Sequence, residues 1–241
     1  MSILKKINAF LFNYRASQPF GFLRIAVALF CIIYLGCMYT EMQNLIGING
    51  YVGRVTSEAI NIRFTPKISW LLKPLNNGGF TDSNSINIII GIYFTAMLLM
   101  LAGLFTRVSV FFVWMIHLMI YNSTAIFSYG TDAFLNILLF YCLIMPVGRY
   151  ASLDNFLFNK RTKADSIIYE SFFMRVLQVH ICVAYFFSGF NKLIMPGWLN
   201  GESIWQALML PNFRVVDFTF LAAHPFILKI ILLFATMLTF P

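Results

Sequence analysis

Apolar runs of 15–20 residues, separated by short segments that hold most of the charge, constrain this 241-residue chain more than any other feature. Asp, Glu, Lys and Arg make up 11% of the residues against 60% apolar, whereas a soluble domain carries about 25% of those four. So few charges cannot cover a water-exposed surface, and the expected solvent for most of the chain is lipid. Spanning helices need about 20 predominantly apolar residues. Five runs meet or approach that: Phe20–Tyr39, Ile86–Phe105, Val108–Phe127, Ala133–Val147 and Phe172–Phe190. A sixth begins near Pro225 or Phe226 and stops at Pro241, as expected of a portion of a longer protein. The expected fold is therefore all-α, a polytopic transmembrane helical bundle of about six spans forming one domain over residues 1–241.

The charges set the orientation. Lys5, Lys6 and Arg15, then Arg107, then Arg149, Lys160, Arg161 and Lys163 fall in segments that share one side if the N-terminus is cytoplasmic, and the outer turn after the fifth run holds only Lys192. Cytoplasmic loops carry the excess of Lys and Arg, so the N-terminus is placed inside and the chain in the cell membrane. The net charge of +8 thus reads as topology signal and attraction to anionic lipid. Nucleic acid is not an expected partner, because the basic residues form no patch interleaved with aromatics. Residues 41–85 mix Gly47, Gly50, Gly53, Pro66, Pro74 and Asn76-Asn77-Gly78-Gly79 with short apolar stretches such as Ile68-Ser69-Trp70-Leu71-Leu72. That mixture predicts an outer loop with one or two short interfacial helices and Trp70 at the headgroups; Ser203–Leu210 reads the same way. The cysteines Cys31, Cys37, Cys142 and Cys182 all fall inside apolar runs without CxxC spacing and are expected as small buried residues rather than disulfides or metal ligands.

Ionisable side chains within spans are costly, and each is a functional candidate with a partner to be named. Arg24 and Arg175 lie near inner helix ends, where an arginine can snorkel to the headgroups. His117 sits mid-span, where so short a side chain cannot snorkel, and shares a helix face with Tyr121 and Thr124. Two readings stand for it: a core histidine satisfied by a neighbouring hydroxyl or carbonyl, and a proton relay. Asp132 follows Tyr129-Gly130-Thr131 between the third and fourth runs. It is expected either to cap the fourth helix, where a carboxylate meets free N–H groups and the positive dipole end, or to pair with Lys192.

Tyr185, Ser188 and Lys192 recur at three and four residues and make one polar face that opens outward, with Gly189 allowing another backbone close to it. A lysine in a partly dry pocket gives up its proton more readily and can act as a base; an interfacial lysine at a helix end is the alternative. Metalloprotease, nucleotide-loop and hydrolase motifs are absent from the sequence, and histidine spacing fits no zinc site.

Tyr185-Phe-Phe-Ser-Gly-Phe-Asn-Lys192, followed by Trp198 and Gly201, resembles the Y-x-x-[SA]-G-x-x-K…W-x-x-G motif of the vitamin K-dependent gamma-carboxylase and its bacterial relatives, the horizontally transferred transmembrane (HTTM) family. Gly103-Leu-Phe-Thr-Arg107, the Gly130-Thr-Asp132 turn, Pro146-Val-Gly-Arg-Tyr-Ala-Ser-Leu-Asp154 and Arg24 also look like that family's recurring segments, so the resemblance extends over nearly the whole chain. It implies that Lys192 is the base toward a quinone or similar isoprenoid. Asp132 and Tyr185 would tune it, His117 would relay protons, and Ser188, Gly189 and Trp198 would contact the quinone. The sequence departs from the pattern in three ways. No histidine stands near Thr131 or Asp132, Pro196-Gly197 lengthens the Lys-to-Trp spacing by one residue, and a large luminal domain is missing from these 241 residues. Glutamate carboxylation is therefore not carried over. A second expectation is a non-catalytic accessory role in maturation or export of a secreted peptide, as in the sporulation-delaying protein B branch of the same family, with the 41–85 segment as the sensitive part. A small-solute transporter is disfavoured because no paired Gly/Pro-broken spans are visible.

Overall fold

A computed structural model of the chain describes residues 3–12, 18–60, 64–124, 126–128, 130–158, 164–199, 202–209, 226, 227 and 230. Every regular element among them is a helix. In chain order these are α1 (Ile3–Phe12), α2 (Gln18–Met38), a 3-10 turn (Tyr39–Glu41), α3 (Met42–Ile46), α4 (Arg54–Ile60), α5 (Ser69–Asn77), α6 (Asp82–Ala102), α7 (Thr106–Ser123), α8 (Gly130–Ile144), α9 (Leu153–Phe158), α10 (Ala164–Ile194), α11 (Pro196–Leu199) and α12 (Glu202–Met209). The chain divides into two compact units, Met1–Phe173 and Met174–Pro241.

Three helices are long and apolar enough to cross a membrane: Phe20–Ile46, Asp82–Ala102 and Glu170–Ile194. They hold the first and fifth expected runs whole and the second as far as Ala102. Two further runs form helices that fall short of that standard. α7 reaches 18 residues but carries Arg107, His117 and Asn122, and α8 is apolar but only 15 residues long. The sixth expected run, 225–241, lies almost wholly outside the described residues.

In the first unit α6 packs against α2 and α7, and α8 packs against α7 and α2. Their meeting faces bury Val27, Ala28, Cys31, Ile89, Tyr93, Met97, Val113, Ile120, Leu135 and Leu139. Two of the expected buried cysteines, Cys31 and Cys142, are in this core; Cys37 and Cys182 are exposed instead, and all four are free thiols.

The two ends of this bundle are closed by different polar devices. At one end α6 stops at Gly103, whose φ of 71° supplies the left-handed residue that ends a helix, with Leu104 N–H reaching back to Leu99 O. Phe105 follows at φ 47°, and α7 then starts under Asp154. Asp154 Oδ1 accepts from Phe105 N–H, and its Oδ2 accepts from both Thr106 N–H and Thr106 Oγ1, each at 2.8 Å. A carboxylate there meets the free donors and positive dipole of a helix start. In return Asp154 N–H donates to Gly103 O. Arg24 of α2 enters the same corner and donates Nη2 to Ala151 O. It does not snorkel as expected: it is completely buried, because the 103–106 and 151–154 turns fold over it.

At the other end residues 41–85 are not an open loop. Arg54 of α4 pairs with Asp82 at the start of α6 at 2.8 Å, and Asp82 also accepts from Asn76. Glu58 Oε1 accepts from Ser123 Oγ at 2.9 Å and from Ser69 N–H at 3.1 Å, while Asn122 donates to Pro66 O. Three short helices, α3, α4 and α5, are therefore hydrogen-bonded onto the ends of α6 and α7. Beside them Tyr51 donates to Glu41 at 2.7 Å, and that carboxylate raises the phenol above its ordinary value.

A Cβ at Gly103 would overlap Arg24 Nη1 and Ser152 Cβ, whereas Cβ atoms at Gly36 and Gly91 would meet nothing within 4 Å. Gly103→Ala is expected to destabilise the detergent-purified protein by about 2 kcal/mol or more, from backbone strain and displacement of a buried arginine. Gly36→Ala and Gly91→Ala are expected to be neutral or stabilising by up to about 1 kcal/mol. Thermal unfolding of the three variants separates these outcomes.

Candidate functional site

Side chains from four helices of the first unit form one polar cluster within its core. His117 of α7 is buried, and its Nδ1 lies 2.9 Å from the hydroxyl of Tyr93 on α6, also buried. Tyr34 of α2 packs edge-to-face with the imidazole, with centroids 5.7 Å apart, and the Tyr93 ring stacks with it at 6.4 Å. Asp132, in the first turn of α8, is buried and is the charged neighbour of all three rings. His117 Nε2 is buried without a hydrogen-bond partner among the described residues.

One turn beyond Asp132 on α8, Asn136 is buried with neither its oxygen nor its nitrogen hydrogen-bonded to a described residue. A buried polar group without a hydrogen bond costs roughly 1–3 kcal/mol, and such groups are rare enough to call for an explanation. His117 and Asn136 are two such groups in one core.

The partner of His117 is thus across the bundle on α6, not Tyr121 or Thr124 on its own helix. Thr124 Oγ1 bonds instead to Ile120 O within α7. A neutral imidazole has one donor and one acceptor nitrogen. If the Tyr93 hydroxyl donates to Nδ1, the proton of the neutral ring sits on Nε2. That arrangement can pass a proton between a phenol and an imidazole without moving the backbone. Tyr93, Tyr34 and Asn136 were not singled out by the sequence, since tyrosines in apolar runs read as membrane aromatics and Asn136 as an isolated polar residue. The available signal was the i, i+4 spacing of Asp132 and Asn136, which places both on one face of α8.

The second unit carries the remaining expected residues. Tyr185, Ser188, Gly189 and Lys192 lie along α10, of which Tyr185 and Ser188 are exposed, Gly189 is buried and Lys192 is half-buried. Pro196 opens α11, a position where proline's missing N–H costs nothing. The short turn brings Trp198 back so that Lys192 Nζ stands 5.0 Å from the centre of its ring. The pairing of Lys192 with Trp198 is therefore direct, and Pro196-Gly197 is what folds the chain to make it. A cation over an indole face is favoured by roughly 0.5–2 kcal/mol, which holds the ammonium in place. His117 and Asp132 are in one unit and Lys192 is in the other. Among the described residues no group of three or more His, Cys, Asp or Glu is placed to hold a metal ion.

No family model, curated protein or solved structure matches this chain.

Two substitutions separate a satisfied core from a site kept polar for use. Tyr93→Phe leaves His117 without its hydroxyl partner and is expected to cost about 1–3 kcal/mol. Asn136→Leu replaces a buried, unbonded amide with an apolar group of similar size and is expected to leave stability unchanged or raise it by about 1 kcal/mol. A large loss of stability in Asn136→Leu would mean that the amide has a structural partner.

Proposed function

We propose that this chain is a polytopic protein of the cell membrane, with about six spans and a cytoplasmic N-terminus, of the HTTM or gamma-carboxylase-like kind. It acts as a membrane enzyme on a quinone or lipid-like substrate, with Lys192 as base. The observation that carries this reading is the Tyr34, Tyr93, His117 and Asp132 cluster. Four helices direct protic side chains into one dry core, where an apolar core of equal volume would serve stability as well or better. Lys192 and Trp198, two residues of the motif that the sequence resembles, also lie against one another.

In this reading Lys192 takes a proton from the substrate, and the indole and the neighbouring apolar face hold the substrate ring beside it. Ser188, Gly189 and Trp198 are the substrate-contacting residues, and Tyr185 tunes the charge. His117 with Tyr93 is a second proton-active group. Positioned acid–base groups contribute about 10²–10⁴-fold to a rate. Lys192→Ala is accordingly expected to lower hydroquinone-dependent turnover at least 100-fold while circular dichroism and detergent stability stay those of the parent. Unchanged turnover in that variant would remove the enzyme reading.

A second reading is favoured by a separate observation. Tyr51, Val55, Ile60 and Phe64 are all exposed on or beside α4, outside the three long apolar helices. An accessory protein for maturation or export of a secreted peptide would use such a surface. Phe64→Ser is then expected to abolish co-purification of a peptide with the protein and to leave any turnover intact. Cysteine labelling from outside intact cells is expected to reach single cysteines in the 41–85 segment and none in the N-terminal residues 1–15; labelling of both would overturn the topology.

A further inference from the structure

The corner closed by Asp154 has an unused face. Beside it lies a cavity of about 450 Å³, within the range of small-ligand sites. Arg107 and Arg149 line it together with Phe105, Val108 and Phe158. Asp154 is also in the wall, but both its oxygens already serve the start of α7. The helix end is therefore satisfied and does not itself recruit an anion.

Arg149 gives Nη1 to the buried Glu170 at 2.8 Å, which fixes its guanidinium at the cavity. Arg107 is exposed and makes no ion pair or hydrogen bond with the described residues. The apolar wall is as unusual as the charges. Phe105, Val108 and Phe158 are each more than half exposed, and Phe105 holds a positive φ, which costs a phenylalanine of order 1–3 kcal/mol. The strain gains no burial for the ring. Cations and exposed apolar side chains side by side, where an apolar helix ends, match a ligand with a phosphate at one end and hydrocarbon at the other.

We propose that this cavity binds the headgroup of an anionic phospholipid, with Arg107 and Arg149 on the phosphate and the acyl chain against Phe105 and Val108. Basic pockets at the ends of membrane helices hold anionic headgroups in this way. The site is independent of Lys192 and of whether the protein is catalytic.

Native mass spectrometry of the full chain in neutral detergent, titrated with phosphatidylglycerol or phosphatidylcholine, tests it. The parent is expected to retain phosphatidylglycerol in preference to phosphatidylcholine. Arg107→Gln is expected to weaken that retention about fivefold, as loss of one near-surface cation should, whereas Lys73→Gln, which removes an equal charge from α5, should not change it. Equal retention of the two lipids by the parent, or equal weakening by Lys73→Gln, would overturn the proposal. Millimolar inorganic phosphate is expected not to displace the lipid. Displacement by phosphate alone would reassign the site to a free anion. Because the lipid preference of the parent is read without any substitution, the test does not depend on the variants folding.

Discussion

Hydrocarbon supplies no hydrogen bonds, and a chain surrounded by it must satisfy every backbone donor and acceptor internally. Every described element of this protein is helical and three helices are long and apolar enough to cross a membrane, so the same requirement bears on what happens where the helices stop. Each helix end leaves free N–H or C=O groups, so the places at risk are the corners rather than the spans. The chain answers with Thr81 at the start of α6, a left-handed glycine at its finish, and Asp154 brought from far along the sequence to start α7. The buried Arg24 belongs to the same solution, for its guanidinium bonds a carbonyl that the turn at Ala151 would otherwise leave unmet.

The bundle interior is built on a different balance. Most of its meeting faces are aliphatic, and their packing alone would hold α2, α6, α7 and α8 together. Into that packing are set a histidine, a carboxylate, two phenols and an amide, with the Tyr93 hydroxyl 2.9 Å from His117 Nδ1. Stability does not call for this group. A core of the same volume made of Leu and Phe would avoid the cost of dehydrating polar atoms. The residues sit buried among these aliphatic faces, where proton positions are set by neighbouring protein groups.

How much of this was legible depended on whether a signal was local. Apolar run length marked out α2, α6 and the later part of α10, because a spanning helix is written in consecutive residues. That 41–85 holds short helices rather than a span was legible from its Gly and Pro content, but its packing onto the ends of α6 and α7 was not. Arg54 with Asp82 and Glu58 with Ser123 are pairings over 28 and 65 residues that no spacing rule announces. For Arg24, position near a helix end implied an exposed guanidinium, and a turn more than a hundred residues later reversed that. His117 was correctly singled out as too short to reach water, yet its partner lay on another helix. Lys192 and Trp198 were noted as neighbours in a motif, and the contact between them could be seen only once Pro196 had turned the chain.

Asp154 also places a condition on the order of events as the protein is made. The donors it satisfies at Phe105 and Thr106 precede it by 49 and 48 residues, so α7 is synthesised whole before its first turn can be completed. At ordinary rates of about 5–20 residues per second, that corner waits on the order of several seconds with its N–H groups unmet. Only the arrival of residues 151–154 caps that first turn, and the same segment brings the Ala151 carbonyl that Arg24 bonds.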